Sequence, residues 1–380
     1  MPSEITTLPL YAQYFRDPNE IDIPASDWGG FRSPNLTSLV PLSECAVDFS
    51  VKEIKRWQDT AKNIAFIILK IVIFPWGTYE LVRYSAQRLI MAPLYPAQSR
   101  LIKAFTRQLS ENTLNGDRLY LENLQTLHPN FIVRQVILEK NGVRYSGLLL
   151  GHASTIDNGQ WALQAVGNFM AVEQVAKFCF EKYNECGYNT LLINGPSVGR
   201  SEGHATPDSM GEAQGIGISF IETALKGKKI VMAGLSLGGA AMGQAILKHE
   251  FKPGVRYLAV QQMTFDRVSN ISAEVLGTCK WLVKKVIIWS GCEMDTVAAS
   301  RKLQALQIPE VIVQASRLRV EGLPAPENFA NDGIITQQGS LGYRLVEEGI
   351  VDRKVFRCLP YAGHMTLQSF TAAHAEILAL

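Results

Sequence analysis

Lys229-Ile230-Val231-Met232-Ala233 leads without a break into Gly234-Leu235-Ser236-Leu237-Gly238-Gly239, and that turn into Ala240-Ala241-Met242-Gly243-Gln244-Ala245-Ile246-Leu247. An apolar run of strand length, a Gly-x-Ser-x-Gly turn and a helix of small residues are the context in which that pentapeptide signals a nucleophilic serine. The turn forces strained backbone geometry on Ser236, so the residues two before and two after it must be small. Gly234 and Gly238 meet that need, and Gly239, Ala240 and Ala241 extend the clearance. Such a turn lifts the serine hydroxyl above the carboxyl edge of a sheet, where open α/β folds bind ligands. It also sets Ser236 at a helix N-terminus, whose dipole favours developing negative charge.

Around this unit, strands and helices alternate from about residue 128 onward. Phe131–Glu139 and Arg144–Leu150, joined by Lys140-Asn141-Gly142, predict a β-hairpin. Apolar runs at Trp161–Val166, Thr190–Ile193, Tyr257–Val260, Val311–Val313 and Val355–Leu359 predict further strands. Helices are expected over Ala171–Tyr183, Met210–Leu225, Ala240–His249 and Leu341–Glu348. An antiparallel start followed by repeated strand–helix units predicts an α/β fold over 128–380, with a mostly parallel central sheet and helices on both faces. The long stretch 264–309 between two of these strands has the length of a lid.

A serine hydroxyl needs a general base at neutral pH. Of the six histidines, 128, 152, 204, 249, 364 and 374, only His364 ends a late strand. Triad order in this kind of fold is serine, acid, histidine, so His364 is the candidate base. His374 reads as a helix surface residue and His249 as favouring a helix C-terminus. Three aspartates lie between the serine and the histidine after strands or loops: Asp266, Asp295 and Asp332. Asp332 fits the expected chain order best; a turn or helix cap is the alternative reading of it. An oxyanion hole needs the backbone N–H of Leu237 and one from Gly167-Asn168-Phe169-Met170, supplied by Asn168 or Phe169.

Composition limits the other classes. With 47% hydrophobic and 19% charged residues and a net charge of +2, the 380-residue chain is a folded globular protein, and its charge names no partner. No nucleic-acid partner is expected. The six cysteines form no CxxC pair and have no zinc-finger histidines nearby, so neither a structural metal nor a disulfide framework is expected. No cofactor is implied. Gly195 and Gly199 are three residues apart and are followed by Arg200-Ser201, which does not match a nucleotide-binding P-loop.

Residues 1–127 read as a separate extension. Residues 1–50 look like loops and short turns; from Val51, Ile54, Trp57, Ala61, Ile64 and Ile68 recur at helical steps, with another helix over Gln98–Leu109. Between 51 and 107 ten basic residues face three acids, a local balance of +7 that leaves −5 for the rest of the +2 chain. Basic helices interleaved with aromatics suit either an anionic membrane surface or a cap with a solvated basic face. The N-terminus does not read as a secretory signal, and Ile64–Phe74, about 11 residues, is short of the roughly 20 a spanning helix needs. A cytoplasmic or peripheral membrane location is expected.

These residues resemble the α/β-hydrolase superfamily. Asp157-Asn158-Gly159-Gln160-Trp161, Gly167-Asn168, Asn194-Gly195-Pro196-Ser197-Val198-Gly199-Arg200-Ser201-Glu202-Gly203 and Gly234 to Gly239 are together similar to a group known from intracellular bacteria such as Chlamydia and Legionella. Ser197 stands where such loops often carry glycine. The resemblance implies that Gly199 and Ser201 shape a pocket rim, and that secretion into a host cell without a cleavable signal is one possible fate. The expected activity is serine ester hydrolysis through an acyl-enzyme on Ser236. An apolar lid and basic aromatic helices suggest a lipid or other acyl ester. Two alternatives stay open: a catalytically silent adaptor that binds membrane or host protein, and an acyltransferase using the same triad.

Overall fold

Side-chain alternation along each apolar run sends successive residues to opposite faces of a sheet, and here both faces are covered. The computed structural model describes residues 31–36, 46–51, 83, 131–152, 154–168, 170–277, 279–320, 322–364 and 368–380. In chain order the strands are β1 (Phe31–Leu36), β2 (Ala46–Val51), β3 (Phe131–Lys140), β4 (Val143–His152), β5 (Gln160–Ala165), β6 (Asn189–Ile193), β7 (Lys229–Leu235), β8 (Arg256–Gln262), β9 (Glu310–Ser316) and β10 (Lys354–Pro360). The α-helices are α1 (Ala176–Glu185), α2 (Pro207–Thr223), α3 (Leu237–Lys248), α4 (Val268–Leu276), α5 (Lys280–Ser290), α6 (Thr296–Ala305), α7 (Leu341–Glu347), α8 (Gln368–Thr371) and α9 (His374–Ala379).

The described strands form one ten-stranded sheet in the order β1-β2-β3-β4-β6-β5-β7-β8-β9-β10. Pairing is parallel from β6 through β5, β7, β8 and β9 to β10, and antiparallel at the predicted hairpin β3–β4 and at β4–β6. Ile230 and Met232 of β7 pack into a core shared with α2, α3 and α6, through Ile216, Phe220, Met242, Ile246, Ala299 and Leu303. Val231, Ala233 and Leu235 of the same strand face a second core with Cys179, Phe180 and Tyr183 of α1 and Ile377 of α9. This is the predicted layered α/β architecture.

Chain order reverses at β5. The chain passes from β5 to β6 on one side and returns to β7 on the other, so the loops leaving β5 and β7 diverge and open a crevice at their carboxyl ends. Ala165 pairs with Gly234 at the lip of that crevice.

Two expectations change. Within residues 1–50, read as loops and turns, β1 and β2 add to the sheet, β2 pairing parallel with β3 from Ala46↔Gln135 to Val51↔Lys140. The β1–β2 register breaks between Arg32 and Asn35, around Pro34, which has no N–H for the ladder. The stretch 264–309, read as one lid, divides: α6 belongs to the helix layer, with Ala299 and Leu303 in the main core, and only α4, α5 and their loops lie outside that layer. The helices expected over 51–109 and the run Ile64–Phe74 lie outside the described residues, Val51 and Arg83 excepted. No helix among the described residues is long and apolar enough to cross a membrane. Cys179, Cys186, Cys279, Cys292 and Cys358 are thiols, and all but Cys279 are buried.

Candidate active site

The strand-to-helix turn places Ser236 at the N-terminus of α3 with φ 53° and ψ −121°, a backbone conformation that L residues rarely adopt. Packing enforces it. A Cβ on Gly234 would stand 2.5 Å from the Cα of Gly239, and one on Gly238 would stand 2.4 Å from the carbonyl oxygen of Val166. The Ser236 N–H donates to the Gln262 carbonyl at 2.9 Å, and the Gly239 N–H donates to the Ser236 carbonyl at 2.9 Å.

His364 follows β10 and is buried, as is Asp332 in the loop between β9 and α7. His364 Nε2 lies 2.8 Å from Ser236 Oγ, and its Nδ1 lies 2.8 Å from Asp332 Oδ2. An ionised carboxylate only accepts, so Nδ1 carries the ring proton and Nε2 of the neutral ring accepts from the serine hydroxyl. Asp332 is itself pinned: its Oδ1 accepts from the Ile334 N–H at 3.0 Å and the Ile335 N–H at 2.7 Å, and its carbonyl accepts from the His364 N–H at 2.8 Å. The turn-forming chemistry weighed for Asp332 is therefore also present, on the other carboxylate oxygen.

The other two aspartates serve elsewhere. Asp295 caps α6, accepting from the Ala298 N–H at 2.9 Å, and pairs with Arg267 at 2.9 Å. Asp266 is buried, bound to Asn270, the Arg267 N–H and Arg344. Burial raises its carboxyl to about 6 despite those donors.

Leu237 is the first residue of α3, so its N–H has no partner within the helix and is available beside Ser236. The loop after β5 lies against the turn: a Cβ built on Gly167 would meet the Ser236 Cβ at 3.6 Å. Asn168 follows it, and Phe169 lies outside the described residues. A cavity of about 20 Å³ is lined on this side by Gly167, Met170, Gln214, Leu237 and Gly238.

Two residues without an assigned role in the sequence reading hold that loop. Asn194, at the end of β6, accepts from the Val172 N–H at 3.0 Å and donates to Glu173 at 3.0 Å. Burial pushes the Glu173 carboxyl up. A lone carboxylate directly after the expected oxyanion loop was the available signal. The Gly195–Gly203 loop is tied down beside them. Ser197 adopts φ 65°, the conformation usually left to glycine, and its hydroxyl donates to the Gly203 carbonyl at 2.6 Å. Ser201 is buried and accepts from the Ser146 N–H at 2.9 Å, while Val198 packs in one apolar cluster with Leu237.

Among solved structures, an α/β hydrolase from Vibrio vulnificus superposes with a TM-score of 0.50 at 13% identity, over 74% of this chain and 94% of that one. An esterase from Pyrococcus furiosus gives a TM-score of 0.48 at 13% identity, over 66% of this chain and 90% of that one. No curated protein matches the sequence. The Vibrio likeness identifies the layered sheet as the α/β-hydrolase fold. The profile of the Chlamydia CHLPS protein (DUF818) family matches residues 52–334, a span that contains both Ser236 and Asp332. On that match, which covers well over half of its length, the chain belongs to the Chlamydia CHLPS protein (DUF818) family and carries that family's sequence on an α/β-hydrolase fold.

Proposed function

We propose that this protein is a serine hydrolase that cleaves carboxylic esters through an acyl-enzyme on Ser236. The observation that carries the reading is the unbroken chain of contacts from Ser236 Oγ through His364 to Asp332, each at 2.8 Å. Ser236 Oγ attacks the ester carbonyl while His364 Nε2 takes its proton, and Asp332 stabilises the imidazolium. The Leu237 N–H and a second donor from the 167–170 loop bind the oxyanion. His364 then protonates the leaving alkoxide, and the alcohol departs. Water enters, gives its proton to His364 and attacks the acyl carbon; collapse releases the acid and returns the proton to Ser236.

The apolar surroundings favour an apolar acyl or alcohol group. Val198, Leu237, Ile271, Ile287 and Ile335 form one buried cluster, so α4 and α5 roof the nucleophile side of α3 as a lid. A fluorophosphonate probe tests the reading: wild-type protein is expected to be labelled and Ser236→Ala not. Labelling that persists in Ser236→Ala rejects the nucleophile, and absence of labelling in wild type favours a silent adaptor.

A further inference from the structure

We infer that the outer face of α5 is a docking surface for an anionic lipid bilayer. This rests on the ester-hydrolase reading for the substrate, a lipid ester, but not for the contact itself.

The helix has two apolar sides where a surface helix normally has one. Its inner side, Val283 and Ile287, packs into the cluster around Leu237. Its outer side carries Trp281, 64% exposed, and Ile288, 58% exposed, seven residues apart and therefore on one face, with Leu282, 46% exposed, beside them. Among the described residues, neither the packing nor the proposed chemistry uses these side chains. Lys280, Lys284 and Lys285 surround them, all exposed, and the helix holds no acidic residue. Lys285 lies over the Trp281 ring at 5.3 Å, so charge and aromatic face share one patch. Glu293 and Asp295, the acids that follow, are turned to other partners, the Ser269 and Met294 N–H groups and Arg267.

Trp and branched aliphatics interleaved with lysines suit the headgroup boundary of a bilayer: the indole and aliphatic groups enter, and the lysines meet lipid phosphate. A protein partner would be met by the same apolar groups, but three lysines on a helix without an acid, with the neighbouring Glu274 turned to Thr336, favour an anionic plane. Because the inner side of α5 packs in the cluster that holds Leu237, next to Ser236, docking on its outer side would bring an ester held in the bilayer towards the crevice.

Cosedimentation of the full chain with vesicles tests this. Binding to phosphatidylcholine–phosphatidylglycerol vesicles is expected, with weaker binding to phosphatidylcholine alone. The triple variant K280Q/K284Q/K285Q should lose about a hundredfold in affinity at low salt. The double variant W281S/I288S should lose tenfold or more, roughly, at any salt. Both change exposed side chains only, and both should hydrolyse a soluble short-chain ester as wild type does. Absence of wild-type binding, or binding equal in wild type and both variants, overturns the proposal. So does vesicle-independent self-association abolished by W281S/I288S, which would assign the face to a second copy. Ser236→Ala should still bind vesicles; if wild type binds but hydrolyses nothing, the ester-hydrolase reading fails and the docking surface stands.

Discussion

In the proposed mechanism His364 serves Ser236 only in the tautomer that Asp332 imposes. Replacing Asp332 by Asn keeps the shape of the side chain but presents an amide that can select the other tautomer, so kcat on a soluble ester is expected to fall about ten-thousandfold. Asp295→Asn should leave kcat near wild type, because Asp295 caps α6 and pairs with Arg267. Comparing the two variants with one substrate separates the acids; near-normal turnover in Asp332→Asn would reject the triad as drawn. Asn194 acts one step away, through the backbone of Val172 and the carboxylate of Glu173. Asn194→Ala should loosen the loop that begins at Gly167 and lower kcat by roughly 10- to 100-fold, with a smaller change in KM. Equal loss in fluorophosphonate labelling rate would place the defect at acylation. Unchanged kcat would show that the loop is held without Asn194.

The turn between β7 and α3 and the ends of α4 and α7 show how elements are locked together. Gly238 has no room for a methyl group against the Val166 carbonyl, a backbone atom that cannot step aside. Gly238→Ala is expected to cost about 3 kcal/mol or more, read from urea unfolding, and to lower activity by shifting Ser236. Asp266 joins α4 to α7 through Asn270 and Arg344. Burial raises its carboxyl from 3.8 to about 6, so the folded protein still holds this proton at pH values where the unfolded chain has released it. Between about pH 4 and pH 6 the group therefore makes stability fall as pH rises, by about 3 kcal/mol across the window. Urea unfolding at several pH values should show the stability of Asp266→Asn rising relative to wild type, by about 3 kcal/mol between about pH 4 and pH 6. A parallel dependence in the two proteins would reject the assignment.

Across the molecule, the sheet's far edge is fastened by a buried ion pair. Lys354 of β10 lies 2.7 Å from Glu310 of β9, both side chains fully buried, and Ser300 of α6 donates to the same carboxylate at 2.9 Å. His364 follows β10, so this pair bears on the height at which His364 stands over Ser236. Lys354→Met leaves Glu310 buried and uncompensated and should cost about 3–5 kcal/mol. Lys354→Met combined with Glu310→Leu should recover much of that loss, because the desolvated charge goes with its partner. Thermal unfolding of the two variants checks both statements. The eight strands from β3 to β10 were all legible, because each is a short apolar run with its own turn signals. β1 and β2 were not: Phe31–Leu36 and Ala46–Val51 become strands only by pairing onto the open edge of β3.

What the sequence determined by itself is local. The strand, the strained turn and the small-residue helix around Ser236 follow from sterics within a few residues. Tertiary structure decided everything that depends on where distant loops land. His364 is 128 residues from Ser236 and 32 from Asp332, and only the twist and register of β9 and β10 bring the three together. Asp266 and Asp295 have the same chemistry as Asp332 and a comparable place in the chain; capping and burial spend them elsewhere. Likewise α6 left the expected lid for the helix layer because its apolar side faces α3, a contact that no periodicity within 296–305 specifies. Short-range sterics are written in neighbouring residues, whereas the choice among equivalent side chains is made by packing across the whole fold.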